Sequence, residues 1–341
     1  MTDGLEILPV RGIGDVTAGD DLAELIGNAA PWLRDGDILV VTSKIVSKAE
    51  GRLVDVPADG PERQAAREHL LASETARVVA RRGPTVIVTT HHGFVMAAAG
   101  IDASNVDKTH LVLLPVDPDA SARRLRAALR ARGLDVAVII SDTMGRAWRT
   151  GLTDVALGAA GIEPIRDHRG QIDPYGNELQ VTEIAVIDEL AAAGELVKGK
   201  MDQVPVAVIR GYPGDGAGDG PGAVALVRDA DSDMFSLGTA EARAAGLRAA
   251  AALSGGGPGG TIDTAAVDRA LATVAGVIAP GTLITRVGGG AAVHLSPAGT
   301  GPATLIRLGA DAHRLRAALA AEGVPSDALI QDDGVVVTLT P

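Results

Sequence analysis

The sequence contains no cysteine, and Phe, Trp and Tyr together make up only 2% of its 341 residues. The absence of cysteine excludes disulfides, iron–sulfur clusters held by thiolates and zinc sites with thiolate ligands. With so few aromatic side chains, the hydrophobic 46% of the sequence must build a core from Ala, Val, Leu and Ile. Such a core suits buried strands packed against Ala-rich helices, which favours an α/β or α+β protein.

Long apolar runs and a basic charge excess are also missing. No apolar run approaches the ~18 residues that a membrane-spanning helix needs, and the first residues lack the regions of a signal peptide. A formal net charge of −12 gives no general basic surface for nucleic acid or for a membrane. We therefore expect a cytoplasmic protein that binds neither nucleic acid nor a membrane. Any anionic ligand must be bound by metal ions or by a few Lys and Arg residues at its site.

Several common site motifs do not occur in the sequence. The seven histidines form no HExxH or HxH pattern, which argues against a zinc site. There is no GxxxxGK[S/T] phosphate-binding loop and no GxSxG nucleophile elbow. Any site must therefore be sought at the ends of predicted strands.

Short apolar runs alternate with helical patterns along the first 245 residues, and this alternation predicts an α+β fold in which helices pack on a mixed sheet. The predicted strands occupy residues 38–41, 86–88, 136–140 and 206–209. The predicted helices occupy residues 20–33, with Asp20 as the N-cap, 62–82, 119–132 and 182–193.

The chain is predicted to contain two domains, residues 1–245 and a small α+β module at residues 261–341. An Ala- and Gly-rich segment at residues 246–260 predicts the linker between them. No group of residues in the small module suggests catalysis, so its role stays open. Within it we expect helices at residues 265–274 and 311–321 and strands at residues 282–287, 292–295, 304–308 and 335–339.

The segment ILVVTSKIVSKAEGR, residues 38–52, carries the first candidate site. Ser43, Lys44 and Lys48 follow a predicted buried strand and offer hydroxyl and ammonium donors to phosphate. Lysines at a strand end are also common at a solvated sheet edge, so both interpretations remain.

The segment AAAGIDASNVD, residues 97–107, places Asp102 and Asn105 among small and apolar residues. Asp102 can form an Asx-turn or a helix N-cap, or it can ligate a metal ion. The residues alone do not separate these two roles.

The segment VIISDTMGRAWRTG, residues 138–151, combines acidic and basic side chains within a few positions. A predicted strand ends in Asp142 and Thr143, whose oxygens suit Mg²⁺ or Mn²⁺. Arg146 and Arg149 follow, and guanidinium groups suit phosphate or carboxylate. A capped helix start with surface arginines is the alternative.

Two further segments read mainly as loops. RGYPGDGAGDGPG, residues 210–222, does not match the GxGxxG fingerprint, and its acidic residues repel a pyrophosphate unless a metal intervenes. A flexible surface loop is favoured there. In DPYGNE, residues 173–178, Tyr175 or Glu178 can contact a substrate, although the composition is typical of a plain turn.

Eight segments, read in order, resemble the coenzyme F420-0:γ-glutamyl ligase family. They are LPVRGIGD, GDDLAELI, DGDILVVTSKIVSKAEGR, AAAGIDASNVD, LLPVDPDASARRLRAAL, DTMGRAWRTG, DPYGNEL and VIRGY. The resemblance covers residues 5–237 and is specific, because several unusual blocks agree in order and spacing.

The resemblance implies a GTP-dependent ligase that joins L-glutamate to coenzyme F420-0, with further γ-linked glutamates as an extension. The reaction passes through an acyl phosphate and releases GDP and phosphate. The family also implies a γ-glutamyl ligase-like fold, an intertwined homodimer, two divalent ions (Mg²⁺ or Mn²⁺) and, as a further expectation, a monovalent cation (K⁺).

The resemblance also transfers roles to particular residues of this chain. Lys48, Arg146 and Arg149 are implied to hold the anionic substrate and the acyl phosphate during catalysis. The implied metal ligands are Asp102, Asp142, Thr143 and Asp219. The implied nucleotide contacts are Ile13, Gly14, Asp15, Val16, Ser43, Lys44, Lys48, Asn105, Gly218 and Gly220.

Two other functions stay open, and one activity is not transferred. The chain can be an amide ligase for another carboxylate, or a nucleotide-binding module without turnover. The actinobacterial form of the family continues into a flavin-binding, nitroreductase-like half. Residues 246–341 are too few for that half, so neither a flavin nor a reductase activity is expected.

Overall fold

The computed structural model describes residues 4–104, 106–199, 202–213, 218–253 and 262–340. The chain divides into two compact units, Met1–Thr239 and Ala240–Pro341. Both contain helices and strands, and the α+β class expected from the sequence is confirmed. Within the described ranges, no helix has both the length and the apolar character needed to cross a membrane.

The first unit contains a five-stranded sheet, smaller sheets and several helices. Its strands are β1 (Glu6–Val10), β2 (Ile38–Thr42), β3 (Leu53–Asp55), β4 (Thr75–Arg82), β5 (Thr85–Thr90), β6 (Val95–Ala97), β7 (His110–Val112), β8 (Ala137–Arg146), β9 (Arg149–Ala160), β10 (Ile165–Asp167), β11 (Glu183–Ala185) and β12 (Val206–Arg210). Its helices are α1 (Leu22–Ala29), α2 (Ser43–Ala49), α3 (Gly60–Ser73), α4 (Pro118–Ala131) and α5 (Val186–Lys198).

The five-stranded sheet has the order β1-β12-β2-β8-β9 and is buried on both faces. Strands β2 and β8 run parallel, and the other neighbouring pairs run antiparallel. In β2, Leu39 and Val41 pack into the cluster formed with α1 and α4, whereas Ile38 and Val40 pack into the cluster formed with α5. Burial of both faces explains the continuous apolar runs in the sequence, because successive side chains of a strand point to opposite faces.

The parallel pair β2 and β8 brings two candidate segments to one edge of the sheet. Thr42 at the end of β2 lies opposite Ser141 in β8. Helix α2 begins directly after Thr42, and β8 continues past Ser141 into a long hairpin with β9. Polar residues that follow the two strands therefore meet at the same edge, where α/β sheets commonly bind ligands.

Some predicted details of the first unit are wrong. The predicted helix at residues 182–193 begins only at Val186, because residues 183–185 form β11, which pairs with β10. The predicted helix at residues 62–82 ends at Ser73, and its second half is strand β4, which pairs with β5 and carries β-branched residues; such residues favour strands. The N-cap of α1 is Asp21, which accepts a hydrogen bond from the Glu24 N–H at 3.0 Å. Asp20 accepts one from the Thr17 N–H at 2.7 Å instead.

The second unit packs two helices on one antiparallel sheet. Helix α6 (Thr239–Ala251) precedes α7 (Thr264–Ala275) and α8 (Pro302–Ala321). The strands β13 (Leu283–Val287), β14 (Ala292–Ser296), β15 (Ser326–Gln331) and β16 (Gly334–Leu339) form the order β13-β14-β16-β15. Side chains of α7, α8, β14 and β16 share one core cluster.

The predicted strand at residues 304–308 is wrong, because these residues belong to α8. The buried positions Leu308, Ala312, Leu315 and Leu319 recur at helical spacing, and this periodicity outweighs the strand propensity of the local sequence. In the predicted linker, residues 246–251 form the end of α6. Residues 254–260 lie outside the described residues.

Candidate functional site

A cavity of about 760 Å³ lies in the first unit at the edge where β2 and β8 end. It is lined by the loop after β1, the start of α2, the loop around Asp102, strands β8 and β9, and the end of α5 with the residues after it. The lining includes Ile13, Gly14, Asp15, Val16, Lys44, Lys48, Asp102, Asp107, His110, Asp142, Thr143, Asp154, Glu195 and Lys198.

The cavity gathers most of the residues singled out in the sequence. Its lining includes Ile13, Gly14, Asp15, Val16, Lys44, Lys48, Asp102, Asp142 and Thr143. Ser43 is buried at the start of α2 and is not part of the lining. Asn105 lies outside the described residues.

Lys44 and Asp102 form an ion pair at the cavity wall. The Lys44 Nζ atom lies 2.7 Å from Asp102 Oδ2 and donates to both the carbonyl and the hydroxyl oxygen of Ser104 at 2.9 Å. Burial by itself raises the pKa of Asp102, but hydrogen bonds from Lys44 and Ser104 and the charge of Lys44 lower this pKa overall. Asp102 therefore holds the strand-end lysine in place as a charged carboxylate.

Asp102 also forms the Asx-turn that was one of its two sequence interpretations. Its Oδ1 atom accepts a hydrogen bond from the Ser104 N–H at 2.7 Å. The turn does not exclude a metal role, because a carboxylate oxygen has more than one acceptor position. A metal ion at Oδ2 would have to displace the Lys44 ammonium.

Asp142 and Thr143 lie within strand β8, and no helix begins at Asp142. The alternative of a capped helix start is therefore wrong. The Asp142 Oδ1 atom accepts from the Thr143 N–H at 2.8 Å. The Thr143 hydroxyl donates to Asp154 Oδ1 at 2.8 Å, and these two residues face each other across the β8–β9 pair.

Asp154 and Lys198 were missed in the sequence and lie at the buried side of the cavity. The Lys198 Nζ atom lies 2.7 Å from Asp154 Oδ2, and the two side chains are only 3% and 2% exposed. The sequence contains only a weak signal for this pair. The carboxylate of Asp154 in β9 needs a partner if it is buried, but its partner Lys198 lies 44 positions later in the chain. Only the packing of α5 against β9 brings the two together.

The described part of the cavity is more acidic than basic. Its lysines are Lys44, Lys48 and Lys198, whereas its carboxylates are Asp15, Asp102, Asp107, Asp142, Asp154 and Glu195. Two of the lysines already pair with carboxylates of the lining, Lys44 with Asp102 and Lys198 with Asp154. A polyphosphate would meet net repulsion here unless cations entered with it.

The donor set fits a divalent ion that is shared with a ligand. Among the described residues, no three carboxylate or imidazole side chains converge as a ready metal site. Mg²⁺ typically takes one or two carboxylates and completes its coordination with water and substrate phosphates. The cavity offers the same kind of site: it is large enough for phosphates, and its lining includes carboxylate and hydroxyl oxygens of Asp102, Asp142 and Thr143.

The structure does not bring every predicted site residue to this cavity. Asp219 pairs with Arg126 of α4 at 2.9 Å, and neither Gly218 nor Gly220 lines the cavity. Gly220 has a positive φ, and a Cβ atom there would lie 3.1 Å from the Ile162 carbonyl oxygen. This glycine is thus explained by close backbone packing, and in the described arrangement Asp219 is an ion-pair partner rather than a cavity ligand.

Arg146 and Arg149 lie opposite each other at the tip of the β8–β9 hairpin, and both are exposed. They do not line the cavity of their own chain. The DPYGNE segment forms a polar turn, in which Asp173 Oδ1 accepts from the Tyr175 and Asn177 N–H groups at 2.8 Å. Tyr175 is 91% exposed, so the turn interpretation of this segment is confirmed.

Comparison with known proteins identifies relatives that share most of the first unit. The model of the family described as F420-0:Gamma-glutamyl ligase matches residues 12–211. A coenzyme F420:L-glutamate ligase of Methanothermobacter thermautotrophicus is 41% identical over 249 residues, which are 68% of this chain and 99% of that protein. A coenzyme F420:L-glutamate ligase of Methanopyrus kandleri is 42% identical over 246 residues, 68% of this chain and 97% of that protein. The segment matched by the family model contains all the lining residues of the cavity, from Ile13 to Pro205, and the chain belongs to the F420-0:gamma-glutamyl ligase family.

Proposed function

We propose that this protein is a GTP- and divalent-metal-dependent ligase that joins L-glutamate to coenzyme F420-0 by an amide bond. The observation that carries the proposal is the cavity at the end of β2 and β8. It gathers lysine ammonium groups beside carboxylate and hydroxyl oxygens, inside a segment shared with proteins named coenzyme F420:L-glutamate ligase. Lysines suit phosphates and oxygen ligands suit Mg²⁺ or Mn²⁺.

The chemistry requires activation of a carboxylate. At neutral pH a carboxylate does not condense with an amine, because its oxygen is a poor leaving group. Transfer of the γ-phosphoryl group of GTP to that oxygen gives an acyl phosphate and GDP. The glutamate amine then attacks the acyl carbon, an amide forms, and phosphate leaves with the oxygen that came from the carboxylate.

The residues of the cavity have distinct proposed roles in this reaction. Lys44 and Lys48 bind phosphate oxygens, and the loop of Ile13, Gly14, Asp15 and Val16 contacts the nucleotide. Asp142, Thr143 and Asp102 would hold the divalent ions, which neutralise the charge of the transferring phosphoryl group when bound. The family resemblance also implies a K⁺ ion, and we assign no residues to it.

Phosphate binding by Lys44 and metal binding by Asp102 both require Lys44 to leave its ion pair with Asp102. While Lys44 pairs with Asp102, neither group is available to the substrate. Asp102 would hold a divalent ion in place of the Lys44 ammonium group, and Lys44 would then be able to bind phosphate, so ion and nucleotide binding would support each other. Binding of GTP and metal is therefore expected to be mutually dependent.

A coupled assay tests the proposed function. Purified protein receives coenzyme F420-0, L-glutamate, GTP and Mn²⁺, and release of phosphate is followed with omission of each component in turn. We expect phosphate release only when all four are present. GTP and Mn²⁺ binding without release would indicate a binding module, and release with a different carboxylate acceptor alone would indicate another amide ligase.

The first unit is expected to carry this activity by itself. The two archaeal relatives align over nearly their whole length with 68% of this chain, and the cavity lies within Met1–Thr239. A protein truncated to residues 1–245 should keep a rate of amide formation close to that of the full chain. A truncated protein that melts cooperatively and binds GTP but forms no amide contradicts this expectation.

Arg146 and Arg149 enter the proposal through a homodimer. The hairpin tip that carries them also exposes Trp148 and Leu152, which are 87% and 68% exposed, and Trp148 contacts Phe235 edge to face. Exposed apolar side chains of this size are typical of an interaction surface. In a dimer of intertwined chains, we propose that the hairpin arginines hold the anionic substrate of the partner subunit.

Replacing the apolar hairpin side chains should weaken the dimer. Truncating a central aromatic residue of an interface costs at least ~2 kcal/mol, or about 30-fold in Kd. We expect Trp148→Ser with Leu152→Ser to shift the protein toward the monomer in light scattering across a dilution series. Tyr175→Ser, at an equally exposed aromatic residue in a polar turn, serves as the control; a wild-type protein that is monomeric at every concentration refutes the dimer.

A further inference from the structure

The end of α5 buries an ammonium group beside the cavity that the proposed mechanism does not use. The Lys198 side chain is 3% exposed and that of Asp154 is 2% exposed, and Ser141 is fully buried. Desolvating such a pair costs free energy that the attraction between the charges often only offsets, so stability alone does not account for it.

The hydrogen bonds within this group have a definite direction. Lys198 Nζ donates to Asp154 Oδ2 at 2.7 Å and to Ser141 Oγ at 2.9 Å, and Ser141 Oγ donates to Asp154 Oδ2 at 2.8 Å. Lys198 and Ser141 both donate to the same oxygen of Asp154, so the other oxygen of this carboxyl group is the one that faces Thr143. That oxygen, Oδ1, therefore accepts the proton of the Thr143 hydroxyl at 2.8 Å.

This arrangement determines what the Thr143 hydroxyl can offer to the cavity. A hydroxyl group has one proton and two lone pairs. Because the proton is committed to Asp154, the lone pairs remain for a cation. Without Asp154 the hydroxyl could turn its proton toward the cavity, where it would repel a divalent ion and donate to phosphate instead.

We infer that Asp154 and Lys198 are positioning residues for divalent-ion binding, which act by fixing the rotation of the Thr143 hydroxyl. The inference rests on the proposed function, in which Thr143 is a metal ligand. Lys198 and Ser141 hold Asp154 in place through its Oδ2 atom, and Asp154 accepts the Thr143 proton through its Oδ1 atom. Outer-shell partners of this kind commonly contribute about 10- to 100-fold to metal affinity.

The test measures Mn²⁺ binding rather than turnover. Free Mn²⁺ is determined by electron paramagnetic resonance while Mn²⁺ is titrated into the full chain with a non-hydrolysable GTP analogue. The pair variant Asp154→Leu/Lys198→Met removes both charges together, and such replacements of a buried ion pair often keep the fold. We expect its Mn²⁺ affinity to fall about 10- to 100-fold.

A double-mutant cycle separates positioning from general packing. Thr143→Val should lower Mn²⁺ affinity by a similar factor in the wild-type protein and should have little further effect in the pair variant. Asp37→Leu/Arg210→Met is the control, because buried Asp37 and partly buried Arg210 form an ion pair at the opposite end of β2, with Nη2 and Oδ2 2.7 Å apart. This control should change the melting temperature and leave Mn²⁺ affinity unchanged.

The possible outcomes are distinct. If wild-type protein does not bind Mn²⁺ with the nucleotide analogue, the proposed function fails, and the inference fails with it. If wild-type protein binds Mn²⁺ and the folded pair variant binds it equally well, the inference alone is overturned. Should the pair variant fail to melt cooperatively, Asp154→Val/Lys198→Met introduces a smaller β-branched residue that suits strand β9 and also leaves the Thr143 hydroxyl without its acceptor. The same fall in Mn²⁺ affinity is expected, and unchanged affinity there overturns the inference.

Discussion

Asp142→Asn is expected to abolish most turnover while the protein stays folded. The substitution keeps the size of the side chain and an oxygen that can still accept the Thr143 N–H hydrogen bond, which is 2.8 Å long in the structure. It removes the negative charge with which we propose that Asp142 holds a divalent ion. Loss of such transition-state charge stabilisation costs ~3–4 kcal/mol, or about 10²–10³ in rate.

The measurement is the rate of GTP hydrolysis coupled to glutamate transfer at saturating Mn²⁺, with thermal melting as the check of folding. Asp167→Asn is a suitable control, because Asp167 pairs with Arg169 in an exposed hairpin of the same unit. It should leave the rate unchanged. Near-normal turnover of Asp142→Asn at the Mn²⁺ concentration that saturates the wild-type protein would remove Asp142 from the metal site.

Lys44→Ala is expected to shift nucleotide and metal affinity in opposite directions. The ammonium group now meets three oxygen atoms, one from Asp102 and two from Ser104. In the proposed mechanism the ammonium group leaves these oxygens and binds a phosphate of GTP. Charge-assisted hydrogen bonds contribute about 1.5–3 kcal/mol, so GTP affinity should fall by about 10- to 100-fold.

Mn²⁺ affinity without nucleotide should rise in the same variant, because Asp102 no longer has to release Lys44. Calorimetric titrations with Mn²⁺ alone and with GTP analogue in the presence of Mn²⁺ measure both effects. Lys108→Ala tests an exposed lysine in the loop between Asp102 and β7 that does not line the cavity, and it should change neither affinity. Equal losses of both affinities would instead indicate that Lys44 only maintains the local fold.

The sheet was predictable because its strands are buried on both faces. Runs such as residues 38–41 and 206–209 are apolar at every position, and β2 and β12 occur there. Strand β4 was not predictable by the same signal, since it lies in a small three-stranded sheet and continues a helical pattern. Its strand character comes from pairing with β5, a contact that local periodicity does not contain.

The site was predictable where chemistry follows directly on a strand. An apolar run in the sequence precedes each of two pairs of site residues, Lys44 and Lys48 after β2 and Asp142 and Thr143 in β8. All four residues line the cavity. The role of Asp102 was not predictable from the sequence, because its ion pair with Lys44, which lowers the pKa of the carboxyl group, forms only in the folded chain.

Other parts of the site depend on packing alone. Asp154 and Lys198 lie 44 positions apart and meet only because α5 packs on β9. Asp219 shows the opposite effect, since its place in a Gly-rich acidic loop suggested a metal ligand, whereas the structure pairs it with Arg126.

In the proposed reaction, this cavity activates a carboxylate by phosphoryl transfer before glutamate is added. Transfer of oxygen from substrate to phosphate tests it most directly. Coenzyme F420-0 with an ¹⁸O-labelled carboxylate is incubated with L-glutamate, GTP and Mn²⁺, and the phosphate and the organic product are both analysed by mass spectrometry. With both carboxylate oxygens labelled, we expect a product heavier by one glutamyl residue and one ¹⁸O atom in the phosphate for each amide formed; amide formation with unlabelled phosphate would refute activation by phosphoryl transfer.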